Sequence, residues 1–192
     1  MPQENPSALE FLLSRRSRPA KTLALPVPTE EELRPILTAA ARTPDHGKLE
    51  PWRFIVLQGA ALARLANLTE ERGKALGIEE AKVIKTRAQF ADAGLVVAVV
   101  SAPVVSEKVP HIEQVYSAGA VCLAMLNAAL AAGWGANWLT GWMAFDEEFL
   151  TQGLGLTEDE NIAGFIHIGT ETSAPPERPR PDLDSLTTWV NT

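Results

Sequence analysis

Two guanidinium groups and a hydroxyl stand in succession at Arg15-Arg16-Ser17. Forked, permanently charged donors beside a hydroxyl are the donor set that holds a phosphate. Arg178 and Arg180, distant in a proline-rich stretch, are candidates to complete such a site. A solvated basic corner is the plainer reading of the same residues. Little else in the chain offers chemistry of its own. No G-x-G-x-x-G, G-x-x-x-x-G-K-[ST] or G-x-S-x-G pattern occurs, so the usual nucleotide-binding and hydrolase signatures are missing. With 3 His, 1 Cys and no H-E-x-x-H or C-x-x-C, a metal site is not expected. Ser17, Asp45 and His46 have the residue types of a triad. Adjacent Asp-His is nevertheless the wrong arrangement for a carboxylate that must orient the imidazole. Cys122, inside an apolar run, reads as a core thiol. His167 alternates with apolar neighbours and reads as a satisfied structural histidine, while His111 follows Pro110 in a loop.

The elements that must position these residues are legible in outline. Asn5-Pro6 starts a helix whose apolar stripe is Leu9, Leu12 and Leu13. It is expected to run through the arginines and stop near Pro19. After the stiff Pro26-Val27-Pro28 connector, Thr29 and Glu32 form a capping box. The second helix then carries Leu33, Ile36, Leu37, Ala40 and Ala41 on one face and ends around Arg42-Thr43-Pro44, with Pro35 anomalous inside it. A polar loop from Asp45 to Trp52 leads into a strand over Arg53–Leu57. Helices follow over Ala60–Leu76 and Ile78–Ala91, broken at Gly77. Gly94–Val100 is a near-continuous apolar run with four β-branched valines, as in a strand covered on both faces, and Pro103–Pro110 is loop.

Gln114 to Phe145 carries no charged side chain. Val115–Ala132 within it reads as a helix apolar all round. Its length would allow a membrane span. Its alanine content, Ser117, Gly119, Asn127 and the absence of basic flanks instead suggest a buried soluble helix. A chain this short has little room to enclose such a helix, which implies an obligate homodimer. Gly133-Trp134-Gly135 stops the helix, and Ala136–Thr140 is a short strand. Asp146 caps another helix carrying Phe149 and Leu150, and Ile162–Ile168 is the last strand. The tail from Gly169 is proline-rich, with Leu186, Trp189 and Val190 near its tip. It reads as an arm laid over a partner, or more plainly as a frayed terminus. Helices first and strands interleaved afterwards suggest α+β.

Length and composition set the limits. The chain has 192 residues, 20.7 kDa, a formal charge of −7 and a pI near 5.0. That argues against nucleic acid as the main partner and fits a soluble enzyme of small molecules. With 46% hydrophobic and 21% charged residues it is an ordinary globular chain, expected to form one domain over residues 1–192. A single cysteine excludes an internal disulfide and fits a reducing cytoplasm. Met1–Pro6 lacks the basic and apolar regions of a signal peptide.

In their order and spacing, several motifs together resemble the FMN-dependent nitroreductase family. They are Arg15-Arg16-Ser17 after an amphipathic helix, Ala41-Arg42-Thr43-Pro44-Asp45-His46, Pro51-Trp52-Arg53-Phe54, Tyr116–Ala120, Gly133-Trp134-Gly135 and Gly164–Thr170. More closely they look like its compact bacterial branch with an Arg-Arg-Ser start and a Pro-Asp-His loop. The resemblance covers residues from about 7 to 190. It implies an α+β sandwich around a mainly antiparallel sheet flanked by helices. Two intertwined chains would hold one FMN in each interface cleft, and the arm of about residues 170–192 would embrace the partner. Carried over residue by residue, Arg15, Arg16 and Ser17 would hold the FMN phosphate and the pyrimidine side of the flavin. Arg42 and His46 would contact FMN, His46 from the other subunit. Trp138, Leu139 and Thr140 would lie along the isoalloxazine, with the N–H of Thr140 or Gly141 on flavin N5. Arg178 and Arg180 would approach the phosphate. The implied activity is ping-pong hydride transfer from NAD(P)H to nitroaromatic or quinone acceptors, with no catalytic side chain beyond the cofactor's own chemistry. Glu50 stands where many relatives have Gln before Pro-Trp. That departure leaves open other redox chemistry, such as enone reduction or desaturation, and a flavin-binding module without turnover.

Overall fold

The structure, a computed structural model, describes residues 3–192; the first two residues of the Met1–Pro6 start lie outside it. Asn5 caps helix α1 (Pro6–Ser14) by accepting from the Ala8 N–H at 3.1 Å, and Pro6 occupies the first turn, where no N–H is needed. The helix ends at Ser14 instead of running on toward Pro19, and Arg15 is already extended. The physical reason is a competing partner: the Arg18 N–H donates to the Ala136 carbonyl at 2.8 Å, a bond the segment makes only outside the helix. The arginine run is thereby laid against the sheet.

Helix α2 (Glu30–Ala40) begins with the expected capping box. The Thr29 hydroxyl accepts from the Glu32 N–H, and the Glu32 carboxylate accepts from the Thr29 N–H at 2.8 Å. Thr29→Ala removes one of these bonds. It should cost about 1 kcal/mol, which a thermal melt would register as a drop of roughly 2–4 °C; an unchanged melt would mean that packing alone holds the helix start. Pro35 sits inside α2 without ending it.

Five strands form an antiparallel sheet: β1 (Leu23–Ala24), β2 (Trp52–Leu57), β3 (Val96–Ser101), β4 (Gly135–Leu139) and β5 (Asn161–Glu171). β3 lies between β2 and β5, and β5 also pairs with β4 over Phe165–Gly169 and with β1 at Thr170 and Glu171. All six residues of β3 are buried, as its β-branched run suggested. Alternation sorts them onto two faces. Val96, Ala98 and Val100 pack with Phe90, Phe149 and Phe165 under α3 (Ala60–Ala75) and α4 (Glu80–Ala91). Val97 and Val99 pack with α2 and α5 (His111–Ala131). The result is a helix–sheet–helix sandwich with an apolar core on either side of the sheet. Gly77, at φ +64°, makes the turn between α3 and α4.

Three details depart from the sequence reading. His111 opens α5 instead of lying in the loop before it. The helix is not enclosed all round: Val121, Cys122, Met125 and Ala129 are buried, while Ile112, Tyr116 and Leu123 are exposed. It is also the one helix among the described residues long and apolar enough to cross a membrane, yet part of it is buried within this fold. After β4 the chain makes a 3-10 turn (Trp142–Phe145) and then a short π-helical turn (Phe149–Gly153). Asp146 caps the latter, accepting from the Phe149 N–H at 2.8 Å, and Arg72 of α3 forks onto the same carboxylate at 2.9 and 3.0 Å.

Candidate functional site

The arginines converge. Arg15, Arg16, Ser17, Arg178 and Arg180 line one cavity of about 480 Å³, although the two segments stand at opposite ends of the chain. Local bonds fix the corner. An Arg15 Nη donates to the Ser17 hydroxyl at 3.1 Å, and an Arg16 Nη donates to the Pro176 carbonyl at 3.0 Å, which draws the tail in. Arg18 turns away to pair with Glu171 of β5 at 2.7 Å. Among the described residues, the one carboxylate paired with a cation of this cavity is Glu177, 2.9 Å from Arg180. The Nε groups of Arg15 and Arg16 are buried without a hydrogen-bond partner. Burial, and then the neighbouring charges of Arg180, Arg16 and Arg18, push the Arg15 guanidinium below its ordinary value. Crowded cations with unspent donors form a site that gains from an anion of more than one charge.

This corner is tied to the end of β4. Besides the Arg18–Ala136 bond, the Asn137 amide donates to the Arg18 carbonyl at 2.6 Å. Trp138, Leu139, Thr140 and Gly141 follow directly, with Gly141 extended at φ −175°. A β-bulge shapes the surface there. Register shifts between Val99 and Val100, which pair with Gly164 and Ile162, so Ala163 is the extra residue on β5. The indole N–H of Trp138 donates to the freed Ala163 carbonyl at 3.3 Å, and its ring lies so close over Gly164 that a Cβ there would fall 2.1 Å from Nε1. Gly164→Ala should therefore expel the indole and cost about 1–3 kcal/mol in overpacking. A shifted Trp138 indole resonance in ¹⁵N–¹H NMR with a lowered melt is the expected outcome; an unmoved resonance would refute the contact.

Arg42 and His46 do not join the arginine cavity. Arg42 is exposed just after α2, and His46 Nδ1 lies 2.7 Å from the Glu113 carboxylate at the start of α5. Their loop is held to α5 through Ser117, whose hydroxyl donates to the Pro44 carbonyl and accepts from the Trp52 indole. Ser17 and His46 thus serve different partners, and no triad forms. Cys122 is fully buried, and burial pushes its thiol up to about 12, as expected of a core thiol. His167 departs from expectation: it is buried, burial pulls its imidazole down to about 4, and its Nε2 has no partner. Arg18, Asn137 and Gly164 escaped the sequence reading because their roles depend on which strands meet.

The nitroreductase family model matches residues 12–170. The chain belongs to the nitroreductase family. Among curated relatives of this nitroreductase-family chain, the Escherichia coli K12 protein named "Putative NAD(P)H nitroreductase YdjA" is 37% identical over 163 residues, 85% of this chain and 87% of the relative. Among solved structures, a nitroreductase-like family protein from Bacillus cereus superposes with a TM-score of 0.79 at 22% identity, covering 99% of this chain and 98% of its own. The FMN and NADPH-dependent nitroreductase NfnB from Sphigopyxis sp. strain HMH gives a TM-score of 0.73 at 18% identity, covering 96% and 99%. The likeness to the two solved structures establishes the nitroreductase-like fold, an α+β sandwich on an antiparallel sheet.

Proposed function

We propose that this nitroreductase-family chain is an FMN-dependent oxidoreductase, taking hydride from NAD(P)H and reducing nitroaromatic or quinone-type acceptors. The observation that carries this is the arginine cavity. Its partly buried, mutually repelling guanidinium groups fit a phosphate monoester, which carries up to two negative charges and several acceptor oxygens. Relatives named for NAD(P)H and FMN support the choice of nucleotide. Arg15, Arg16 and Ser17, with Arg178 and Arg180 from the tail, would hold the phosphate. Trp138 and the backbone of Leu139, Thr140 and Gly141 would line the ring system, because Arg18 and Asn137 pin β4 beside the arginines. Bound FMN would supply two-electron hydride chemistry between donor and acceptor in alternating half-reactions. The side chains bind, orient and provide positive charge at the flavin's polar end.

The same reading makes the protein a homodimer and the whole chain one functional domain. Leu183, Leu186, Val190 and Trp189, the last 82% exposed, stand largely exposed on the tail, as do Leu9, Leu12 and Leu13 of α1. Tyr116 and Leu123 of α5 add to this uncovered apolar surface. An arm over residues 170–192 and paired α5 helices would bury it, and Arg42 and His46 would then contact FMN, His46 that of the partner. The reading is of a cytoplasmic enzyme without a nucleic-acid or membrane partner.

The test is direct. The purified protein should be yellow, with one FMN per chain, should sediment as a dimer, and should oxidise NADH or NADPH when given nitrofurazone or menadione. A colourless monomer that takes up no added FMN would overturn the reading. A yellow protein inert to both nicotinamides would refute the reductase activity while leaving the flavin site standing.

A further inference from the structure

A second cavity, of about 360 Å³, lies on the other face of the sheet from Trp138, between α4, the turn at Ala20–Thr22 and strands β4 and β5. His167 and Leu139 contribute from the strands and Gln89 from α4, and much of the remaining wall is alanine. Two of its lining side chains carry buried polar atoms without a hydrogen-bond partner, Nε2 of His167 and Oε1 of Gln89. His167 is only 3% exposed, so bulk water does not compensate it. A pair of such orphans in one cavity is unusual, since buried polar groups are nearly always satisfied. Satisfied together by one ligand, they cost nothing; left open, each carries a desolvation penalty.

The chemistry of the wall selects the ligand. The inner end is a neutral imidazole and an amide oxygen, because burial keeps His167 uncharged at neutral pH. With the ring proton on Nε2 the imidazole donates while the Gln89 oxygen accepts, so one uncharged hydroxyl, donor and acceptor at once, satisfies both, and a charge is rejected. The apolar wall suits a flat carbon skeleton, and the volume holds a single ring with room to spare. Lys21, Lys85 and Asp92 are exposed residues of the same cavity, and none of the three forms an ion pair among the described residues. Two cations against one carboxylate favour an anion at the open end. We infer that this cavity binds a small hydroxyaromatic acid, with its phenol on Gln89 and His167 and its carboxylate at Lys21 and Lys85. The site shares no residue with the arginine cavity and does not rest on the flavin assignment.

The probe is 4-hydroxybenzoate, titrated calorimetrically into the 192-residue protein in its isolated state, with flavin content measured first. Saturable binding is expected in the micromolar to low-millimolar range. Gln89→Leu removes the acceptor without touching the strands and should weaken binding at least tenfold. Lys85→Ala should weaken it about three- to tenfold and make benzoate and phenol nearly equivalent ligands. His167→Gln is the inner-end variant, and because it risks the fold, the α4 variants decide the matter. Absence of saturable heat to 10 mM would mean that the cavity holds water only and would overturn the inference. Binding that survives both Gln89→Leu and Lys85→Ala unchanged would place the ligand elsewhere and overturn it equally.

Discussion

Arg16→Ala should lower FMN affinity by roughly 10- to 100-fold while leaving the flavin-free protein at least as stable as the wild type. The first half follows from the strength of hydrogen bonds to charged groups, about 1.5–3 kcal/mol each when the partner is lost. The second half follows from the crowding of the corner. Arg15 is held below its ordinary value by burial and by Arg180, Arg16 and Arg18, so the empty site is a strained assembly of like charges. Removing one cation relieves the others. The bond that Arg16 gives up, to the Pro176 carbonyl at 3.0 Å, is exposed and readily replaced by water. Arg16→Lys should fall between the two, because it keeps the charge and loses the fork. The measurements are flavin dissociation constants by fluorescence quenching and melting temperatures of the deflavinated proteins. Wild-type affinity in Arg16→Ala would remove the phosphate from this corner. A lowered affinity with an equally lowered melt would mean that Arg16 serves the fold and not the ligand.

Such opposition between function and stability was partly legible in the residues. The donor set at Arg15-Arg16-Ser17 suits a phosphate by its chemistry, beside the plainer reading of a solvated basic corner, and three arginines within four positions exceed what capping needs. Local signals were also readable: the Asn5 and Thr29 caps, the glycine turn at Gly77, and the all-buried β3. Each depends on a few adjacent residues. What escaped depends on which distant segments meet. The early end of α1 is set by a carbonyl of β4, and the bulge at Ala163 is a mismatch of register between β3 and β5 that no single strand carries. His167 alternates correctly and is buried as expected, but its lack of a partner is a property of the neighbouring wall. Arg178 and Arg180 stood as candidates to join Arg15 by residue type, and the family resemblance implied the same, but nothing local in residues 178–180 points to Arg15.

The segment that carries Trp138 to Gly141 is anchored at its far end by a charge pair, and there the second large effect is expected. Asp146 is 8% exposed, accepts from the Phe149 N–H and receives both arms of the Arg72 guanidinium, which also pairs with Glu148. Hydrogen bonding to Arg72 holds the Asp146 carboxyl below its ordinary value, against a burial effect of opposite sign. A carboxyl depressed on folding stabilises the protein above its unfolded value, near 3.9, and that contribution is lost as pH falls through the lower folded value. Arg72→Met reverses the balance. The cation goes, the burial stays, and the carboxyl then prefers its proton in the folded state. At pH 7 the variant must carry a nearly buried, unpaired carboxylate, and its melting temperature should fall by roughly 5–10 °C. Toward pH 4 and below, the wild type loses its ion-pair contribution while the variant gains a neutral acid, so the two melts should converge. Adding Asp146→Asn to the variant should recover most of the loss at pH 7, since the amide still accepts from Phe149 and bears no charge. If the gap between wild type and Arg72→Met is the same at pH 4 as at pH 7, the loss is one of packing by the arginine stem, and the charge pair does not hold this turn in place.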